Sequence, residues 1–200
     1  MSFTPRTTIP DPMSSYYRLY TYGDGGYDRF GWITEYPQGN CTGYAYGRFG
    51  EECGMDLHND FLITQSPGNG KQWIYNSWPD QTFTSGSIDL KLGDILVYGG
   101  GTYGHVEIVE AIYGATIMTS YSIYASTYAE GQRFRTRTIS YPTWSSVLGT
   151  WIDNAGNSHT YTNPFIGYIH NKYIAPSTFD LAALLPHFRK RHKRLLNARR

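Results

Sequence analysis

GNCTGYAYGR, at residues 39–48, is the stretch that decides the fold, because it places a cysteine where a helix should begin. Asn40 is a good helix N-cap, and the residues from Thr42 to Arg48 can form the helix. The Cys41 sulfur would then lie in the first helical turn, where free backbone N–H groups and the positive end of the helix dipole favour thiolate over thiol. The same N–H groups would stabilise the oxyanion that forms when a carbonyl is attacked.

A second segment, GTYGHVEIVEAI at residues 101–112, supplies a histidine in a different context. Glycines precede His105, and the alternation from His105 to Ile112 predicts a strand. A side chain at the start of a strand, beside a Gly-rich loop, is well placed to act as a general base. Because His105 is far from Cys41 in sequence, only the fold can bring the two together.

These two segments, in this order, resemble the CHAP family, the cysteine, histidine-dependent amidohydrolases/peptidases that cut bacterial cell-wall peptidoglycan. GNCTGYAYGR resembles the family's nucleophile segment. LKLGDILVYGGGTYGHVEIVE, at residues 90–110, resembles its Gly-Asp-Ile strand, Gly-rich loop and Gly-His-Val strand. NPFIGYIHN, at residues 163–171, is similar to the closing strand of phage members. The likeness extends over residues 15–172.

The resemblance implies an α+β, papain-like domain in which N-terminal helices pack on an antiparallel sheet. It also implies hydrolysis of an amide bond through an acyl-enzyme, with Cys41 as nucleophile, His105 as base, and no metal or cofactor. We divide the chain into an aromatic, Gly-rich lead-in (1–37), a catalytic domain (38–175) and a basic C-terminal helix or tail (176–200).

The pattern of apolar residues predicts helices first and strands afterwards, which is typical of an α+β arrangement. Helices are expected at residues 41–50 and 70–77. Strands are expected at residues 94–98, 105–112, 116–124, 132–140 and 165–170.

The third member of the catalytic group is the point where the sequence departs from the family. In many members the strand after the histidine carries a carboxylate or an amide that orients the imidazole, and here the matching positions hold Ser120 and Ser122. We assign Ser120 as the residue that orients His105. Glu107 lies two residues beyond His105 on the same strand face and is expected to modulate it, since side chains two apart on a strand seldom bond well to each other.

Aromatic residues are abundant, with 19 tyrosines and five tryptophans. Such rings can stack on sugars, although ordinary half-buried packing in strands explains most of them equally well. We expect Trp73, Trp78 and Tyr103 to line a substrate groove, and Gln38 to assist in binding the oxyanion.

Several other residues have simpler interpretations. Cys53 is expected to be a small buried side chain, with a Cys41–Cys53 disulfide as the alternative. Asp24 and Asp28 are typical either of a turn or of a calcium loop, and we expect the turn. The remaining histidines are expected to be structural and lack zinc-ligand spacing: His58, His159, His170, His187 and His192.

The C-terminal segment is strongly basic. Seven of the 17 Lys and Arg residues and no acid follow Asp180, so residues 1–180 carry 10 − 16 = −6 and the last 20 residues carry +7. This segment would bind anionic wall polymers, lipid headgroups, nucleic acid or an acidic virion (tail) subunit, or it is a solvated helix. Tight nucleic-acid binding is not expected.

The sequence shows no signal peptide and no stretch long enough to span a membrane. The absence of a signal by itself indicates only that the chain is made in the cytoplasm. The resemblance to the CHAP family adds the expectation of a phage-encoded protein that is made in the host cytoplasm and acts on bacterial peptidoglycan. It would be either an endolysin released through a holin or a lysin carried on the virion. The alternatives are a virion structural or wall-binding protein that has lost catalysis, and a cytoplasmic thiol protease.

Overall fold

A computed structural model describes residues 3–11, 14, 16, 41–53, 69–77, 79–122, 134–152 and 158–171. Within these residues one long helix, α1 (Cys41–Cys53), packs on an antiparallel β-sheet. The α+β class expected from the sequence is confirmed, and the arrangement is consistent with a papain-like fold.

The other elements are short. A 3-10 turn (Gly70–Gln72) runs into the four-residue helix α2 (Trp73–Asn76), and a second 3-10 turn covers Pro79–Gln81. The strands are β1 (Thr82–Phe83), β2 (Ile95–Tyr98), β3 (His105–Tyr113), β4 (Thr116–Ser122), β5 (Phe134–Ser140), β6 (Val147–Ile152) and β7 (Ser158–Ile169).

The described strands form one sheet in the order β1-β7-β2-β3-β4-β5, and β6 pairs with the first half of β7. Every pairing is antiparallel. β3 lies in the interior of the sheet, between β2 and β4, and begins directly after the Gly-rich loop. His105 pairs with Tyr98 there, so the first residue of β3 is already fixed by the ladder.

Each face of the sheet covers its own apolar cluster. On one face Val106 and Ile108 of β3 pack with α1, around Tyr44 and Trp73. On the other face Val109 packs with a second cluster. This follows from the strand alternation, which sends successive side chains to opposite faces. His105 and Glu107 therefore share the face of Val109.

A β-bulge interrupts β3. Val109 pairs with Thr119 and Ala111 with Met118, which leaves Glu110 as the extra residue. In a bulge the two residues opposite one partner point to the same side of the sheet. Glu110 still follows the alternation of Val106 and Ile108, so its carboxylate faces α1, and the bulge keeps Ala111 on that side as well. Arg48 donates to Glu110 from Nε at 2.9 Å and from Nη2 at 2.7 Å.

The N-terminal segment, residues 3–11, is tied to this charged group. The backbone N–H of Arg6 donates to Glu110 at 2.8 Å, and Arg48 donates to the carbonyl of Thr4 at 2.6 Å. The Arg6 side chain also pairs with Glu51 of α1. Part of the predicted lead-in therefore packs on the helix and the sheet, and Tyr16 packs on the same apolar cluster as α1.

Two glycines allow the segment before α2 to pack against the start of β3. A Cβ on Gly104, whose φ is +65°, would lie 2.5 Å from Cβ of Lys71 and 2.6 Å from the carbonyl oxygen of Tyr98. A Cβ on Gly70 would lie 3.3 Å from the backbone of His105. Lys71 also donates its backbone N–H to the carbonyl of Tyr103. These contacts fix the backbone on both sides of His105.

The predicted elements are largely present, with α1 three residues longer than expected and the second helix divided into a 3-10 turn and α2. The short β1 and β6 were not predicted, and β7 begins earlier than expected. The tail at 176–200 lies outside the described residues. No helix in the described part of the chain is long and apolar enough to cross a membrane.

Candidate active site

Cys41 is the first residue of α1, as predicted. It is not in a disulfide, and the residue as a whole is partly exposed. The backbone N–H groups of Thr42 and Val106 donate to its sulfur. The sulfur therefore lies between the N-terminus of α1 and the start of β3.

His105 is the first residue of β3, and its ring forms a hydrogen bond with the Cys41 sulfur. The imidazole is buried, and the edge-on ring of Tyr121 lies 5.2 Å from it. The fold thus brings together the two residues that the sequence keeps far apart.

Burial acts against charge on both groups, but their mutual attraction outweighs it. Burial alone would raise the pKa of Cys41; the His105 charge, its hydrogen bond and the two backbone N–H groups lower that pKa below the usual thiol value. Burial likewise disfavours the His105 imidazolium, but the Cys41 thiolate and Glu107 raise the pKa of His105 to about 9. Each group therefore stabilises the charged form of the other, and the pairing favours thiolate and imidazolium over the two neutral forms.

Glu107 is the residue that contacts the far side of the imidazole. Its Oε1 lies 3.0 Å from Nε2 of His105, and its side chain is 0% exposed. Because Nε2 is engaged by Glu107, Nδ1 is the ring nitrogen left for the sulfur. The expectation that side chains two apart on a strand would not bond well is wrong here, since both lie on one face and the glutamate is long enough to reach back.

Ser120 does not take the orienting role that the sequence suggested. It pairs with Ile108 and faces α1, on the opposite side of the sheet from Glu107. There it accepts a hydrogen bond from the Tyr44 hydroxyl at 2.7 Å and donates to Glu110 at 2.5 Å. Ser122, two residues on, shares that face. The family comparison placed these serines correctly on β4, but the strand register sends them away from His105.

Arg137 is a member of the site that was not predicted. It lies on β5, and its Nε donates to Oε2 of Glu107 at 3.3 Å while its Nη2 bonds to Oε1. Burial would raise the pKa of Glu107, but Arg137 and then His105 lower it below the usual value. The only sequence signal was that FRTRTIS places Arg135 and Arg137 on one face of a strand, which did not reveal that Arg137 is buried beside Glu107.

The four residues predicted to bind substrate differ in where they lie. Trp73 is wrong as a groove residue: it is fully buried, edge-on to Tyr46 at 6.5 Å, in the cluster beneath α1. Tyr103 is 64% exposed in the Gly-rich loop two residues before His105, and its role in the groove stays a prediction. Gln38 and Trp78 lie outside the described residues.

His170, expected to be structural, bonds through Nδ1 to the buried Asp94 at 2.8 Å, on the strand end remote from His105. Asp24, Asp28, His58, His187 and His192 lie outside the described residues, as do the side chains of Cys53 and His159. Among the described residues no three His, Cys, Asp or Glu side chains are grouped as a metal site would require.

A thiol at a helix N-terminus, paired with an imidazole from an antiparallel sheet, is the arrangement of a papain-like fold. Residues 31–122, slightly less than half of the chain, match the family model of the CHAP domain. This segment contains α1, β3 and both Cys41 and His105. The match supports a CHAP family peptidoglycan hydrolase, of amidase or peptidase type. A comparison with curated proteins gave no match.

Proposed function

We propose that the protein hydrolyses an amide bond in bacterial peptidoglycan by nucleophilic catalysis, with Cys41 as nucleophile and His105 as general acid and base. The observation that carries this proposal is the contact between the two side chains, in which the Cys41 sulfur at a helix N-terminus forms a hydrogen bond with the buried His105 ring. The CHAP domain match supplies the substrate class.

In the first step the Cys41 thiolate attacks the carbonyl carbon of the scissile amide, and the oxygen becomes an oxyanion. The backbone N–H of Cys41, at the positive end of α1, is the donor that we assign to this oxyanion. The His105 imidazolium then gives its proton to the amide nitrogen. The C–N bond breaks, the amine leaves, and a thioester to Cys41 remains.

In the second step neutral His105 takes a proton from water, and the resulting hydroxide adds to the thioester carbonyl. The tetrahedral intermediate expels the Cys41 thiolate, which restores the thiolate–imidazolium pair and releases a carboxylic acid. Glu107 stabilises the imidazolium that recurs in both steps. It thus performs the role that the sequence alone had assigned to Ser120.

The biological setting proposed is that of a phage lysin, either an endolysin released through a holin or a component of the virion. The basic segment at residues 176–200 would direct the protein to an anionic surface or to an acidic virion subunit. The alternative of an inactive structural protein was based on the serine at position 120. That argument no longer holds, since Glu107 provides the carboxylate.

The test uses purified cell walls and three variants of the full chain. Cys41→Ala and His105→Ala should each abolish the release of soluble fragments, while Cys53→Ala, which removes the other cysteine, should not. Mass spectrometry of the fragments identifies the bond cut, and casein serves as the negative control substrate. Release by Cys41→Ala or His105→Ala at the wild-type rate would refute the proposal, as would wild-type protein that digests casein and leaves walls intact.

A further inference from the structure

β3 carries two fully buried glutamates, and each is paired with a buried arginine. Glu110 faces α1 and bonds to Arg48, while Glu107 faces the other way and bonds to Arg137. The Glu110 pair has an evident structural role, because it joins the helix to residues 4 and 6 of the N-terminal segment. The Glu107 pair lies beside His105 instead, which calls for a different explanation.

Arg137 reaches Glu107 from two strands away. It is directly opposite Thr119 of β4, which in turn is opposite Val109 of β3. Its guanidinium engages both carboxylate oxygens, a geometry that fixes the plane of the carboxylate as well as its position. Oε1, the oxygen that bonds to Nη2, is also the oxygen 3.0 Å from Nε2 of His105.

Arg137 also contacts the second neighbour of the imidazole. Its guanidinium lies over the Tyr121 ring, 4.8 Å from the ring centre, and the same ring lies edge-on to His105. Arg137 therefore touches the two side chains, Glu107 and Tyr121, between which the imidazole is held. Its contacts are with the supports of the histidine and not with the reacting sulfur.

A buried carboxylate in this position requires such a partner. An uncompensated carboxylate in an apolar interior takes up a proton or rotates toward a donor, because desolvation strongly disfavours the charge. The groups that act on Glu107 are His105 on its own strand, Arg137 from β5 and the Thr119 hydroxyl from β4. The Tyr98 and Tyr121 hydroxyls act on Arg137, and Cys41 of α1 lies beyond the imidazole. Of these, Arg137 is the permanent cation.

We propose that Arg137 is a positioning residue that acts through Glu107, holding the carboxylate against Nε2 of His105 so that the imidazolium can pair with the Cys41 thiolate. The inference builds on the proposed function, since it concerns the same site. The site thus consists of four side chains in successive contact, which come from α1, β3 and β5: Cys41, His105, Glu107 and Arg137.

The test measures how fast iodoacetamide alkylates Cys41 in the full chain, with peptide mapping to separate Cys41 from Cys53. Rates are taken from about pH 5 to about pH 10, a range that spans the ordinary pKa values of histidine and cysteine. The variants are Arg137→Gln, Arg137→Lys, Glu107→Gln and the double variant Glu107→Gln/Arg137→Gln. Arg48→Lys is the matched control, because it alters the other buried Glu–Arg pair of β3.

In Arg137→Gln we expect alkylation at neutral pH to slow about tenfold, the effect of losing one charge partner, and the rise of the rate with pH to move to higher pH, because a less stable imidazolium leaves the thiol protonated to a higher pH. Glu107→Gln should show the same change. The double variant should be no slower than the slower single variant, because Arg137 acts only through Glu107. Arg48→Lys should lower the melting temperature and leave the profile unchanged.

Three results would overturn the inference: a wild-type profile in the Arg137 variants, losses that add in the double variant, or an equal change of profile in Arg48→Lys. If Arg137→Gln does not fold, Arg137→Lys alone and combined with Glu107→Gln gives the same comparison, since lysine cannot engage both oxygens. Wall cleavage is measured separately. Wild-type protein that shows the expected profiles but cuts no walls would refute the proposed function and leave the role of Arg137 intact.

Discussion

The exchange of roles between Glu107 and Ser120 can be tested with two conservative substitutions. Glu107→Gln keeps the size of the side chain and an oxygen that can accept from Nε2 of His105, but it removes the negative charge. Ser120→Ala removes only a hydroxyl. If the carboxylate stabilises the imidazolium, activity should respond to the first change and stability to the second.

The magnitude follows from the geometry. The contact between Glu107 and His105 is 3.0 Å long, and the carboxylate is fully buried. A hydrogen bond to a charged group contributes about 1.5–3 kcal/mol, so its loss in the transition state should lower kcat/KM about ten- to hundredfold. The pKa of His105 should fall from about 9 toward the ordinary value of about 6.5.

Ser120→Ala leaves the Tyr44 hydroxyl and one side of the Glu110 carboxylate without the serine between them. Glu110 Oε1 keeps its bond from Arg48, so the main cost is the acceptor that the Tyr44 hydroxyl loses. A buried polar group that loses a partner costs about 1–3 kcal/mol, and the free energy of unfolding should fall by that amount. The assays are the initial rate of fragment release from purified walls, for kcat/KM, and urea denaturation for stability. Wild-type kcat/KM in Glu107→Gln, or a larger loss of activity in Ser120→Ala, would refute this reasoning.

Four further predictions concern the same site and its support. Activity against pH should be bell-shaped. It declines as the pH drops through the lowered pKa of Cys41, where the thiolate is protonated, and again as the pH rises through the His105 pKa of about 9, where the imidazolium is lost. Activity that stays constant as the pH rises through about 9 would contradict the assignment. Trp73→Ala should destabilise the fold by about 3–5 kcal/mol in denaturation experiments, as expected for a core aromatic. Tyr103→Ala should raise KM for walls without changing alkylation of Cys41, and a change in alkylation would exclude a role limited to binding. Gly104→Ala should lower the free energy of unfolding by more than about 1 kcal/mol and slow the alkylation of Cys41, because the positive φ strains an alanine and the Lys71 side chain leaves no room for its Cβ. Unchanged stability would contradict this.

The sequence was sufficient to predict that Cys41 begins a helix and His105 begins a strand, because local signals and the family resemblance agreed. Asn40 before Cys41 predicted the start of α1, and the glycines before His105 predicted the start of β3. The positions of the Cys41 and His105 side chains then follow from where the helix and the strand begin. No comparable local signal exists for β1, which has two residues, and the sequence had given no reason to predict β6.

The errors at Ser120 and Trp73 have one physical origin, which is that the face a residue occupies depends on its neighbours in space. Ser120 faces α1 because of its register with Ile108, and register is set by pairing across the whole sheet. Trp73 is apolar and large, so both a groove and a core were reasonable before its position beneath α1 was known. The contact between Arg137 and Glu107 could be predicted only from the strand order, which places β5 two strands from β3.

The bulge at Glu110 changes which residues of β3 face each side of the sheet. Before it, His105, Glu107 and Val109 lie on one face by simple alternation; after it, the alternation restarts in the opposite phase, so Ile112 returns to that face and packs with Val109 in the same apolar cluster. Without the additional residue Ile112 would point toward α1, and the cluster on the far face would lose one of its side chains. The strand therefore keeps its reactive groups at its start and adds hydrophobic support to the same face at its other end.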